Sequence, residues 1–314
     1  MKIVFTPRGF AKCGLDNVDI IRGAGFELEY NDTGLAYTKE EFYKKTEDAD
    51  GVVVGVEIVD KAYIDAHPNI KAVVKFGVGT DNIDVEYCKS KGIFVGRTVG
   101  SNSRSVAETA ISFIIADSKN LYESIFDTRS HGWSKLTGYE IEGKTVGIVG
   151  FGAIGKKVAQ MAYGLGMKVL AYDPYALDEE ALKKFDVSVR TLDEIYKESD
   201  FISLHLPLTS ETKDLITLKE MQTMKKSAVL INTARGGIVN EGDLLTALES
   251  KTIRAAYFDV LTNEPPKKED ERLLSQPNFY LTPHIASRSK EAEKKTADIA
   301  TQVIIEALKS YKGE

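Results

Sequence analysis

The amino-acid sequence predicts an α/β protein with two doubly wound parallel-sheet domains, and three features carry that prediction. Short segments rich in β-branched and aromatic residues alternate with helix-length stretches over the first hundred residues. A second alternation of the same kind begins at Val146 and runs to Leu281. Two longer apolar-striped stretches, about Val106 to Phe126 and Ser289 to Lys309, lie between and after these blocks, where a chain would cross from one domain to the other and return. Strands alternating with helices predict parallel sheets with helices on their faces.

In the first block, strands are expected at Lys2 to Thr6, Phe26 to Tyr30, Gly51 to Val54, Ala72 to Phe76 and Ile93 to Val95, with helices such as Asp60 to Ala66 between them. The bridging helix has Ser105 and Glu108 at capping-box spacing and carries Val106, Ala110, Ile114, Leu121 and Ile125 along one face. A polar loop containing Trp133 follows. The second block places strands at Val146 to Val149, Lys168 to Tyr172, Phe201 to Leu204, Ala228 to Ile231, Arg254 to Phe258 and Phe279 to Leu281. The last helix, with Ala300, Val303, Ile304, Ala307 and Leu308 on its apolar side, is expected to return to the first domain. The domains are then 1–99 with 287–314, and 100–286, with crossings near Gly100 and Ser287.

The run VGIVGFGAIGKKVAQMAYGLGMKVLAYD, Val146 to Asp173, reads strand, glycine turn, helix, strand and acidic end without interruption. Gly150, Gly152 and Gly155 stand in G-x-G-x-x-G spacing. The first permits a tight turn, the second lets the backbone approach a pyrophosphate, and the third lets helix and strand pack closely. The helix N-terminus, at Ala153 and Ile154, offers main-chain N–H groups and positive dipole to the anion. Glycines at this spacing also occur in ordinary loops; the strand, helix and strand around these give them their meaning. Asp173, about twenty residues beyond the glycines, can accept hydrogen bonds from an adenosine ribose and would repel a 2′-phosphate. Its plainer use is to cap the turn before Pro174. The unit reads as a Rossmann dinucleotide-binding domain, with NAD ahead of NADP as cofactor.

The 314 residues carry a net charge of −6, and 43% are hydrophobic, ample for two cores. Lysine and arginine are spread along the chain, so no basic stripe draws nucleic acid. No apolar run approaches the roughly eighteen residues of a membrane span, and the apolar start at Met1 to Phe5 is too short for a signal peptide. Cys13 and Cys88, far apart and in no C-x-x-C pair, suit a reducing compartment. The expectation is a cytoplasmic protein acting on a small molecule, with no nucleic-acid or membrane partner and no metal. Charge and composition leave monomer or dimer open.

Three further segments bring reactive side chains to strand ends: INTARGGIVNEGDLL with Arg235, FDVLTNEPP with Asp259 and Glu264, and LTPHIAS with His284. Ligands in open α/β sheets bind outside those carboxyl ends. Taken singly, Arg235 reads as a surface ion pair, Glu264 as a loop charge before Pro265, and His284 as a satisfied histidine after Pro283. Together with KFGVGTDNID at Lys75 to Asp84 and SNSRSVAE at Ser101 to Glu108, the segments resemble the D-isomer-specific 2-hydroxyacid dehydrogenases over nearly the whole chain. That resemblance implies a discontinuous, flavodoxin-like substrate domain closing over an inserted Rossmann NAD domain, and a homodimer. It implies hydride transfer between NAD(H) and a small D-2-hydroxy acid or 2-keto acid, with Arg235, Glu264 and His284 as the catalytic set. It further implies Lys75, Val78, Gly79, Asn102, Ser103 and Arg235 near the substrate, Leu206, Thr233 and Ala234 along the cofactor, and Asp259 at the nicotinamide carboxamide. For Asp259 there is a plainer alternative, ending its strand and capping a turn.

The chemistry of these side chains agrees with the implied roles. Hydride transfer at the carbon bearing the hydroxyl requires a proton to move on its oxygen, and an imidazole, with an ordinary pKa of about 6.5, serves as acid in one direction and base in the other. A carboxylate beside it orients the ring and favours its charged form. Arginine presents a planar fork to a substrate carboxylate. The chain also departs from its relatives: Asn240 stands where many have aspartate, a mild change because both cap a following helix, and Arg97-Thr98-Val99-Gly100 lacks a common proline. Phosphoglycerate dehydrogenases usually place an arginine after the third strand, whereas Gly55-Val56-Glu57 stands here, and Glu57 would repel a phosphate. An alternative function keeps the fold without turnover, as in the carboxyl-terminal-binding corepressors, which sense a dinucleotide and bind other proteins.

Overall fold

The computed structural model describes residues 1–175 and 177–312. The chain divides into two compact units: one runs from Met1 to Asn102 and resumes at Arg288, and the other is Ser103–Ser287. The changeovers lie three residues and one residue beyond the boundaries expected from the sequence.

The first unit holds β1 (Lys2–Phe5), β2 (Glu27–Tyr30), β3 (Gly51–Val54), β4 (Ala72–Lys75) and β5 (Phe94–Arg97). All pair in parallel in the order β2-β1-β3-β4-β5. This is the flavodoxin-like winding, whose switch point falls between β1 and β3. Burial explains the composition. Every residue of the GVVV strand β3 is buried between helical layers, while the edge strand β2, Glu-Leu-Glu-Tyr, keeps one flank toward water. The C-terminal helix Lys290–Lys312 returns here and lays Ala297, Ala300, Ile304 and Leu308 into a core with Ile3, Phe5, Val53 and Val74.

The second unit opens with the helix Ser103–Ser118, which buries Val106, Ala110 and Ile114 as its pattern predicts. Two expectations fail there. The helix does not continue to Phe126: Asn120 takes φ 49°, a left-handed conformation that asparagine tolerates, and a separate helix Leu121–Arg129 begins. The break turns Leu121 and Ile125 off the core face, and both are exposed. Nor do Ser105 and Glu108 form a capping box, because the helix starts at Ser103 and both lie inside it. Ser105 Oγ instead donates to the Ala286 carbonyl, and Glu108 accepts from Arg104.

Seven parallel strands follow: β6 (Thr145–Val149), β7 (Lys168–Tyr172), β8 (Val187–Val189), β9 (Phe201–Leu204), β10 (Val229–Asn232), β11 (Ala255–Phe258) and β12 (Phe279–Leu281). Their order, β12-β11-β10-β9-β6-β7-β8, is the Rossmann winding with one strand added, and the switch point lies between β6 and β9. The central strands β9, β10 and β11 are buried throughout. The short edge strand β8, absent from the sequence reading, is half-exposed and only three residues long. Among the described residues, no helix is long and apolar enough to cross a membrane.

Candidate active site

Apart from Ser103, the candidate residues of the second unit lie on the turns and segments that follow the carboxyl ends of its strands. At β6 the chain turns through Gly150 with φ 99°. A Cβ on Gly155 would come within 2.1 Å of the Gly150 carbonyl oxygen, so the helix can press on the turn only without a side chain. At Gly152, by contrast, a Cβ would meet nothing within 4 Å. Gly152 caps the helix Ala153–Gly164 and brings no side-chain acceptor. The first-turn N–H groups, those of Ala153 and Ile154 among them, therefore stand at an open space with no intrahelical partner. That arrangement fits a pyrophosphate held by main chain and helix dipole. On the neighbouring β7, Asp173 accepts the Phe151 N–H at 2.7 Å and the Tyr175 N–H at 2.9 Å. The turn cap is thus made, one bond per oxygen, and each oxygen keeps a lone pair for a ribose hydroxyl.

Beyond β9, Leu206 is buried against the Gly150 turn. Beyond β10, the turn is built by Asn232, whose Oδ1 accepts the Ala234 N–H at 3.0 Å and whose Nδ2 donates to the Arg235 carbonyl at 2.9 Å. Thr233 and Ala234 are buried by it, and Thr233 Oγ has no hydrogen-bond partner among the described residues. Arg235 emerges at the end, one of its guanidinium N–H groups donating to the Ala234 carbonyl at 2.7 Å.

Beyond β12 lies His284, whose backbone occupies the left-handed region at φ 53°. Such a conformation persists only where the surroundings enforce it, and here Asp259 does so. The Asp259 carbonyl accepts the His284 N–H at 3.0 Å, its Oδ1 accepts the Ile285 N–H at 2.9 Å and the Thr282 hydroxyl, and its Oδ2 accepts the Ala286 N–H at 2.8 Å. The cap reading of Asp259 is therefore realised, and a carboxamide would have to share Oδ2. Glu264, on an irregular segment after β11, turns Oε1 to the Leu261 N–H at 3.2 Å and Oε2 to His284 Nδ1 at 2.7 Å. The ring contact occupies Nδ1 and leaves Nε2 for proton exchange, on a side chain roughly half-exposed (46%).

Lys75, Val78, Gly79 and Asn102 belong to the first unit, whereas Ser103 opens the second. Lys75 Nζ donates to the Gly55 carbonyl at 2.5 Å and to Asn82 Oδ1 at 2.6 Å, and Asn82 in turn donates to the Glu57 carbonyl. Val78 and Gly79 lie half-buried in the irregular stretch after β4, and Asn102 Oδ1 is buried without a partner among the described residues. Glu57 neither faces solvent nor lies open: it is 9% exposed, and its Oε2 accepts the Gly55 N–H at 2.7 Å.

Some residues that shape the site escaped the sequence reading. Gly236 allows the Arg235 turn to lie flush on the Glu264 segment, since a Cβ there would fall 2.1 Å from the Leu261 carbonyl carbon. Glu241 grips Thr262 in that same segment. His205 pairs Nε2 with Ser203 Oγ at 2.9 Å while its Nδ1 is shut off from water without a partner among the described residues, and burial holds its pKa down to about 3. The RGG doublet was the one available signal, because adjacent glycines beside a reactive arginine mark close backbone approach.

Comparison with known proteins agrees with this geometry. Residues 111–286 match the family profile described as D-isomer specific 2-hydroxyacid dehydrogenase, NAD binding domain. The chain is 38% identical over 286 residues to the hydroxypyruvate reductase of Thermotoga maritima, covering 90% of this chain and 92% of that one. It is 37% identical over 303 residues to the D-3-phosphoglycerate dehydrogenase of Methanocaldococcus jannaschii, covering 95% of this chain but only 56% of that longer protein. The D-lactate dehydrogenase of Aquifex aeolicus, solved with NAD and lactic acid, superposes with a TM-score of 0.82 at 26% identity, covering 99% of this chain and 96% of that one. The chain therefore belongs to the D-isomer-specific 2-hydroxyacid dehydrogenases, NAD-dependent oxidoreductases, and its seven-stranded unit is their NAD-binding Rossmann domain.

Proposed function

We propose that this chain interconverts a small D-2-hydroxy acid and its 2-keto acid, with Arg235, Glu264 and His284 as the reacting set. The observation that carries the reading is the 2.7 Å contact of Glu264 Oε2 with His284 Nδ1 beyond neighbouring strands, with Arg235 delivered from the next strand along. NAD, when bound, supplies or accepts the hydride. Glu264 fixes the ring through its bond to Nδ1. His284 gives a proton from Nε2 to the keto oxygen in reduction and takes it back in oxidation. Arg235 holds the substrate carboxylate through its planar fork. Gly150, Gly152, Ala153, Ile154, Gly155 and Asp173 hold the dinucleotide, with Leu206, Thr233, Ala234 and Asp259 along it. The first unit serves as the substrate-binding domain, contributing Lys75, Val78, Gly79 and Asn102, with Ser103 just past the crossing.

An unphosphorylated acid suits the loop after β3, which carries no arginine for a phosphate and whose one acidic side chain, Glu57, is buried on the Gly55 N–H. A cytoplasmic homodimer completes the reading. Its support is the exposed apolar set Leu121, Ile125, Phe126, Trp133 and Leu136 on one helix and the loop after it, an unusual density of uncovered apolar side chains for a monomer.

A panel of 2-keto acids assayed with NADH tests the reading. Turnover of at least one is expected, and His284→Ala should lower its kcat by about 10²–10⁴-fold while leaving NADH affinity unchanged. NADH binding with no consumption across the panel would favour the dinucleotide sensor instead.

A further inference from the structure

Glu264 sits on a stretch with no helix or strand, so its aim at His284 must come from contacts outside that stretch. The segment 260–267 follows β11 without regular structure, and the Glu264 side chain is 39% exposed. A flexible carboxylate in that setting would sample many rotamers, and the orienting contact would be lost for much of the time. The Leu261 N–H on Glu264 Oε1 ties the carboxylate only to its own segment. Within that segment Val260 and Leu261 are buried and Asn263 donates to Glu269 and Asp270, and Thr262 between them is held by Glu241, the first residue of the helix Glu241–Glu249. Its Oε1 accepts both the Thr262 N–H at 2.7 Å and the Thr262 hydroxyl at 2.9 Å. The helix itself is fixed at its start by Asn240, which accepts the Asp243 N–H at 3.0 Å and donates to Asp214 at 3.1 Å. The contact thus runs from an anchored helix end to the residue two before Glu264. Burial also pushes the Glu241 carboxyl pKa up, as expected of a group engaged by protein rather than by water.

We infer that Glu241 is a positioning residue for the reaction, acting through Thr262 to hold Glu264 on His284. The inference rests on the proposed roles of Glu264 and His284. It assigns Glu241 no contact with substrate or cofactor, so its effect must pass entirely through Glu264. A chain of effects of that kind is non-additive. It also depends on an acceptor oxygen and not on charge, because both bonds to Thr262 end on Oε1.

The test uses the full chain with NADH and whichever keto acid it turns over. Glu241→Ala should lower kcat about tenfold with NADH affinity within twofold of wild type, and Glu241→Gln, which retains the acceptor oxygen, should restore kcat to within threefold. In a Glu264→Gln background, Glu241→Ala should cost less than a further twofold. Thr262→Val, which removes only the hydroxyl bond, should lower kcat about threefold and lose its effect in the same background, which keeps the test available should Glu241→Ala fold poorly. Wild-type kcat in Glu241→Ala, equal impairment of the Gln and Ala variants, or full additivity with Glu264→Gln would each overturn the inference. A His284→Ala protein with near wild-type kcat would remove the underlying roles and overturn the inference with them, whereas a His284→Ala loss beside wild-type kcat in Glu241→Ala would overturn the inference alone.

Discussion

Replacing Gly236 by alanine tests how closely the two halves of the reacting set must sit. A Cβ at this position would lie 2.1 Å from the Leu261 carbonyl carbon, 2.2 Å from its oxygen and 2.3 Å from the Thr262 nitrogen, where ordinary contact begins at 3.4 Å. All three atoms are backbone, so no side chain can swing aside, and the Arg235 turn must part from the Glu264 segment by roughly 1 Å. A displacement of that size can cost about 10²-fold in rate when it separates groups that act on one substrate. The expected fall in kcat/KM is therefore about 10²-fold, near 2.7 kcal/mol of transition-state stabilisation. Folding stability should drop by about 1–3 kcal/mol, the usual range for overpacking. NADH affinity should fall far less than kcat/KM, because β9 separates β10 from the strand that carries the pyrophosphate turn, and only Thr233 and Ala234 of the shifted turn lie along the proposed dinucleotide path. Steady-state NADH oxidation together with NADH fluorescence titration would measure all of this. A folded Gly236→Ala protein with kcat/KM within threefold of wild type would refute the argument that this approach positions the site.

NADH should be strongly preferred over NADPH because of Asp173, and Asp173→Ser should narrow the preference by removing repulsion while lowering NADH turnover; equal kcat/KM values for the two cofactors in wild type would count against it. Phosphorylated keto acids should be poor substrates, and Glu57→Arg should raise kcat/KM for 3-phosphohydroxypyruvate relative to hydroxypyruvate, with the gain shrinking as salt rises; a wild-type preference for the phosphorylated acid would defeat this. His205 has a folded pKa near 3 against an ordinary 6.5, so the unfolded chain binds more protons below pH 6.5 and stability should fall with acid between the two values. The loss is about 1.4 kcal/mol per pH unit, near 2 kcal/mol at pH 5, and an unchanged acid slope in His205→Gln would assign the loss elsewhere.

Much of this architecture was legible because it rests on local rules. Parallel strands buried on both faces read as apolar runs, and Val229 to Asn232 or Gly51 to Val54 need no partner in view to be recognised. The glycine turn is equally local, since turn, approach and packing fall within six residues. Legibility fails where the decision is tertiary or turns on one backbone angle. Helical spacing of Val106, Ala110, Ile114, Leu121 and Ile125 is unbroken in sequence, yet one left-handed residue, Asn120, rotates the last two off the stripe. Asparagine adopts that conformation often enough to mark a break, but it sits inside many helices too. Ser105 and Glu108 satisfied a capping pattern whose meaning depends on where the helix starts, and it starts three residues earlier than that pattern implies, at Ser103.

The reacting residues show the same division at finer scale. Arg235, Asp259, Glu264 and His284 could be picked out by type and by strand-end placement, but not how two acids share one histidine. In the structure they control different parts of it. Asp259 makes contacts only with main chain and one hydroxyl: it accepts N–H groups at 284, 285 and 286 and so enforces a backbone conformation that histidine adopts only under constraint. Glu264 touches none of that backbone and meets the ring alone. Separating the two tasks has a physical consequence. A carboxylate buried at 1% exposure with three donors can be rigid, whereas the one on the imidazole sits partly in water, where the charge that the proposed mechanism would place and remove on the ring is screened. Exposure costs that second carboxylate its own packing, which is why its aim depends on the contacts of its neighbours, on Gly236 lying flush against Leu261 and on Glu241 gripping Thr262.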